Sequence, residues 1–182
     1  MFKKLIADNS LFLMIDVQEK LVNMLQKDII VGKSSILAAI ANSLDLPTVV
    51  TEQYPKGLGT TVEQVKSKLP ANAKIEEKTA FSALENEEVT KFIETSSKKQ
   101  VIICGIESHI CVLQTTIDLL NKGYEVYVVK DACASRDKYE FKLAMERLES
   151  AGAIITCVEM VLFELLGSAK HPKFKELQAL IK

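Results

Sequence analysis

The chain has 182 residues, 48% of them hydrophobic and 26% charged, with a formal net charge of −1. That length carries one domain with a sizeable core. Its 23 basic residues form no dense cluster, which argues against nucleic acid or an anionic membrane as the main partner. No apolar run approaches the roughly 20 residues of a membrane span. The start, MFKKLIADNS, has no apolar signal core and no small-residue cleavage site, so a cytoplasmic protein is expected.

In chain order, the first apolar run is 11–15, followed by helical periodicity over about 17–42. A strand-like run at 48–51 precedes a helix at about 60–69, and a shorter run around 73–76 precedes one at about 84–97. Runs at 101–104 and 125–129 are each followed by a helix, at about 109–122 and 137–151. The last run, 153–158, leads into helices at about 159–167 and 172–181. The runs are short, mostly β-branched and nearly continuous rather than alternating, as strands buried on both faces of a parallel sheet are. Gly123 and Gly152 stand where helix C-caps are expected, and Pro172 suits the first turn of the last helix. No linker or repeat divides the chain. Strand alternating with helix predicts a single α/β domain over 1–182, a three-layer sandwich with a mostly parallel sheet of about six strands.

Ligands of such sheets bind beyond the carboxyl ends of the strands. Those ends carry Asp16 after the first strand, TEQYPKGLG after the second, EKTAFSA with Lys78 after the third, the Gly105–Cys111 turn after the fourth and KDACASR after the fifth. A carboxylate, an amine and a thiol therefore leave different strands at one edge. With Ser108 as N-cap, Cys111 falls in the first turn of a helix, where free N–H groups and the helix dipole favour a thiolate and lower its pKa. Lys78 would lower it further, and Asp16 could take the thiol proton. His109, two residues before Cys111, points elsewhere on a helix, and His171 reads as a surface residue. The other cysteines, Cys104, Cys133 and Cys157, lie singly, without zinc spacing, and read as small buried hydrophobes. Taken singly, each of the three has an ordinary explanation: Asp16 a helix cap, Lys78 one lysine among many, Cys111 a core thiol.

The segments LFLMIDVQEKL, EKTAFSA, GIESHICVLQTTIDLL and KDACASR occur in the order, and at about the spacing, of the isochorismatase-like cysteine hydrolase superfamily. The resemblance covers nearly the whole chain. TEQYPKGLG and the C-terminal LFELLGSAKHPKFKELQALIK are most similar to the small isochorismatase-domain proteins, many without an assigned substrate. It implies that Asp16, Lys78 and Cys111 form a catalytic Asp-Lys-Cys triad. It also implies a cis peptide at Ile106–Glu107 that turns the backbone N–H groups of Glu107 and Cys111 into an oxyanion hole. The implied activity is metal-independent hydrolysis of a small amide-like C–N bond through a thioester, without a cofactor. Gln18, Tyr54, Phe81 and Arg136 are candidate substrate-binding residues, each with a packing or ion-pairing role as the alternative.

The sequence departs from the metal-dependent nicotinamidases of that superfamily, which place an Asp-x-His and a further His after the second strand. Here that stretch is Gln53-Tyr54-Pro55. Two other readings stay open: an isochorismatase-type ether hydrolase that uses Asp16 without covalent catalysis, and a non-enzymatic oligomeric binding protein. Family members self-associate, so a homo-oligomer is expected, with the Leu- and Phe-rich face of the last helices as a candidate contact.

Overall fold

A computed structural model describes residues 4–182 of the protein. In chain order its main elements are β1 (Ser10–Ile15), α1 (Glu19–Val22), α2 (Lys27–Ser43), β2 (Thr48–Gln53), α3 (Pro55–Leu58), α4 (Glu63–Lys66), β3 (Lys74–Lys78), α5 (Glu87–Thr95), β4 (Gln100–Ile106), α6 (Leu113–Asn121), β5 (Glu125–Ala134), α7 (Lys138–Ser150), β6 (Ile154–Thr156), α8 (Val158–Leu166) and α9 (Phe174–Gln178). The strands form one six-stranded sheet in the order β3-β2-β1-β4-β5-β6, with every neighbouring pair parallel. The fold class is the expected α/β.

Every residue of the central strands β1 and β4 is buried, as their apolar runs after Ser10 and Gln100 require when helices cover both faces. The chain first steps outward from β1 to β2 and β3, then returns to β4 beside β1 and steps the opposite way to β5 and β6. Right-handed crossovers in opposite directions put their helices on opposite faces of the sheet. Accordingly α2 packs on β5 and α8, while α6 packs on α7. The reversal falls between β1 and β4, and the two ends of these strands form the switch point. There Ile15 pairs with Gly105. A Cβ at Gly105 would lie 2.0 Å from the Ile15 carbonyl oxygen, and its φ is +132°, so only glycine fits where the strands close.

The departures from the sequence expectations have local causes. The helix expected at 17–42 is broken into α1 and α2, because the chain turns through Asn23–Gln26 without a Gly or Pro to mark the turn. The helix at 60–69 shrinks to α4, since the backbone N–H and hydroxyl of Thr61 are taken by Glu52. The helix at 84–97 opens as a 3₁₀ turn, Ala83–Glu85, and restarts at Asn86, whose side chain caps the Val89 N–H. β5 runs on through Lys130–Ala134, past the expected end at 129, by shifting register between Ile103 and Gly105 of β4. β3 extends to Lys78, so that lysine is a strand terminus rather than a loop residue.

Candidate active site

Asp16 is the first residue beyond β1 and takes the left-handed conformation (φ +51°), which Asp tolerates better than most side chains. Its backbone N–H donates to Thr51 O at 3.1 Å, fixing it to β2. The carboxylate is wholly buried: Oδ1 accepts from Thr51 Oγ1 at 2.7 Å and Oδ2 from Lys78 Nζ at 2.8 Å. Lys78, 5% exposed, also donates to Gln53 Oε1 at 2.6 Å and reaches the carbonyls of Ala80 (3.3 Å) and Phe81 (3.2 Å). The ammonium is thus surrounded by acceptors, and each charge of the pair compensates the other in a dry setting.

Cys111 lies between these groups and the helix that follows β4. The turn Ser108–Val112 is π-type, with Val112 N–H bonded to Glu107 O at 3.2 Å. It inserts a residue into the start of α6 and presents Cys111 to the sheet edge, a use to which π turns are put at functional sites. Ser108 does not cap this helix: it sits inside the turn, and its hydroxyl is buried without a partner. The thiol is 6% exposed and within range of both Asp16 and Lys78. The sequence expectation of a lowered pKa is overturned. Burial pushes the Cys111 thiol up to about 12, the Asp16 charge adds to this, and Lys78 opposes it. Burial and the neighbouring Asp16 thus favour the neutral thiol over the thiolate.

The Ile106–Glu107 peptide is cis. Among the described residues, the Glu107 backbone N–H, just beyond β4, donates to no protein acceptor. It is a free donor at the turn that carries the buried thiol.

Of the pocket residues, Gln18 is buried and commits both amide hydrogens to the carbonyls of Gln53 and Gly59, while its oxygen accepts from Gln53 N–H. It therefore braces the β2 end. Tyr54 and Phe81 are exposed and tied to the site through Lys78, whose carbonyl accepts from Tyr54 N–H and whose ammonium reaches Phe81 O. Arg136 Nε donates to Glu107 Oε1 at 2.8 Å, and the same oxygen accepts Arg136 N–H at 3.2 Å. The Glu107 side chain, for which the sequence suggests only a backbone role, thus ties the β4 turn to the end of β5. Thr51 and Gln53, which hold Asp16 and Lys78, went unread, since a Thr within a strand and a Gln at its end carry no distinctive signal. His109 does turn away from Cys111, towards Ser135 and Glu140. Cys104 and Cys133 are buried, and Cys157 is half-buried before α8.

The model for the isochorismatase domain matches residues 10–160. The chain belongs to the isochorismatase family. It is 39% identical over 183 residues to isochorismatase domain-containing protein 2 of Xenopus laevis, covering 98% of this chain and 86% of that one. Among solved structures, the MAR1 ribonuclease from Caenorhabditis elegans superposes with a TM-score of 0.94 at 42% identity, covering 98% of this chain and 92% of that one. YcaC from Pseudomonas aeruginosa, solved with hexane-2,5-diol and covalent acrylamide, superposes with a TM-score of 0.93 at 27% identity, covering 100% and 91%. The protein is accordingly an isochorismatase-family hydrolase.

The donors at the edge do not fit the metal of the nicotinamidase branch. Gln53 is spent on Lys78, Gln18 and Thr79, and no group of three His, Cys, Asp or Glu side chains among the described residues is placed to hold an ion. No helix among the described residues is long and apolar enough to cross a membrane.

Proposed function

We propose that the protein is a cysteine hydrolase that cleaves a small amide-like C–N bond with Cys111, Asp16 and Lys78, acting without metal or cofactor. Cys111 Sγ attacks the carbonyl carbon while its proton passes to Asp16. The oxyanion is received by the N–H groups of Glu107 and Cys111, a type of donor that contributes roughly 3–4 kcal/mol to the barrier. Asp16 then protonates the leaving amine, and a water that gives its proton to Asp16 cleaves the thioester. Lys78 keeps Asp16 charged and steadies the sulfur as negative charge develops. Tyr54 and Phe81 wall the pocket, and the outer guanidinium nitrogens of Arg136 are available to a substrate carboxylate.

The observation that carries this reading is the Asp16–Lys78 pair at 2.8 Å, buried beside the Cys111 thiol. A raised thiol pKa suits it, because a neutral thiol needs the adjacent base. The covalent acrylamide in the Pseudomonas aeruginosa relative supports a reactive nucleophile in this family. The substrate is a small molecule, the setting cytoplasmic, and the chain self-associates through the face of α8 that exposes Met160 and Phe163.

The test is turnover of a panel of small amides, vinyl ethers of the isochorismate type and single-stranded RNA by wild type and Cys111→Ala. RNA belongs in the panel because the Caenorhabditis elegans relative is described as a ribonuclease. The reading predicts amide turnover that Cys111→Ala reduces by roughly 10⁴-fold or more. Ether or RNA cleavage that survives Cys111→Ala would replace it with the Asp16-only or the nuclease reading.

A further inference from the structure

Behind the Cys111 turn, a second set of reactive side chains meets. His109 Nδ1 lies 2.9 Å from Ser135 Oγ, and its Nε2 lies 2.7 Å from Glu140 Oε2. A carboxylate at Nε2 holds the ring proton there and leaves the Nδ1 lone pair facing the hydroxyl. A hydroxyl, a base and a carboxylate that orients the base, joined in one hydrogen-bonded chain, form the arrangement that activates a serine. Ser135 also lines a cleft of about 320 Å³ whose apolar part comes from Met24, Leu25, Ile29, Ile30 and Phe141. Asp16, Lys78 and Cys111 do not line that cleft. Two residues beyond Ser135, Asp137 caps the 13-residue α7. Among the described residues, the N–H groups of Asp137 and Lys138 donate to no protein acceptor. Free amides at the positive end of a helix can receive developing negative charge.

We propose that Ser135, His109 and Glu140 form a second hydrolytic site, with reacting groups distinct from Cys111 although Arg136 borders its cleft too, that takes a short-chain carboxylic ester whose apolar part fills the cleft. Ser135 Oγ bonds to the acyl carbon, its proton moves to His109 Nδ1, and the ester C–O bond breaks as that proton passes to the leaving alkoxide. Water then releases the acid by the same route, returning the proton to Ser135. Glu140 touches no reacting atom and acts as a positioning residue.

The probe is an alkyl fluorophosphonate, which phosphonylates an activated serine with loss of fluoride. It is applied to the wild-type chain and to Cys111→Ala and read by peptide mass spectrometry. Ser135 is expected to be modified at least about tenfold faster than the exposed Ser150, and roughly 10- to 100-fold more slowly in Glu140→Gln. Rescue by Glu140→Asp separates orientation of the base from loss of fold. Ser135 left unmodified, modified no faster than Ser150, or unaffected by Glu140→Gln would overturn the proposal and leave His109 as a strut. In the wild-type chain adducts on Ser135 and Cys111 are read on different peptides, and in Cys111→Ala the Ser135 adduct is read without the cysteine, so failure here is distinguishable from failure of the cysteine mechanism.

Discussion

Lys78→Met removes the ammonium of the buried pair while keeping a side chain of similar length. The Nζ it deletes donates to Asp16 Oδ2 at 2.8 Å and Gln53 Oε1 at 2.6 Å, so Asp16 is left fully buried with only neutral side-chain donors, Thr51 Oγ1 and the Cys111 thiol. Breaking one side of such a pair costs about 3–5 kcal/mol, far more than an exposed ion pair is worth. For a chain of this length that lowers Tm by roughly 6–20 °C. Asp16→Asn together with Lys78→Met should cost clearly less than the sum of the two single changes, because each single change strands a buried charge and the double variant leaves none. Urea unfolding of the four proteins measures this directly. Lys78 is also the group that pulls the Cys111 thiol down against burial and Asp16. Its loss therefore moves the alkylation profile of Cys111 to higher pH. A cost for Lys78→Met below about 1 kcal/mol, or an alkylation profile that does not move, would refute the claim that the two charges and the thiol form one coupled site.

Gly105→Ala places a Cβ 2.0 Å from the Ile15 carbonyl at a φ of +132°, and should destabilise by more than about 2 kcal/mol in urea or fail to fold. Thr51→Val keeps the shape but removes the hydroxyl bonded to Asp16 Oδ1, and should cost about 1.5–3 kcal/mol while leaving near-ultraviolet circular dichroism unchanged. Self-association through α8 predicts a light-scattering mass above the 20.2 kDa of one chain, and a shift to that mass in Met160→Glu/Phe163→Glu.

The strands legible in the sequence are those buried on both faces. β1 and β4 read clearly because, Gln100 apart, every residue in them is apolar or small, and all are covered. β3, Lys74-Ile-Glu-Glu-Lys78, lies at the sheet edge with most of its residues exposed, so its pattern was faint and its end misplaced. Asp16, Lys78 and Cys111 were legible because each stands at or just beyond a strand's carboxyl end, where a parallel sheet gathers its ligands. The direction of the thiol shift was not. A helix start favours a thiolate locally, but the depth of burial and the distance to Asp16 are set by strands far apart in sequence. For the same reason nothing at 109 announced Ser135 or Glu140 as neighbours of His109.

The most direct test of the covalent site is acrylamide addition to the four cysteines at pH 7.5, resolved by peptide mass spectrometry, in wild type and in Asp16→Asn that circular dichroism shows to be folded. Base assistance from Asp16 predicts that Cys111 reacts well ahead of the buried Cys104 and Cys133, and that Asp16→Asn slows it by roughly 10²-fold or more. A Cys111 as inert as Cys104 and Cys133, or one whose rate ignores Asp16→Asn, would contradict the mechanism.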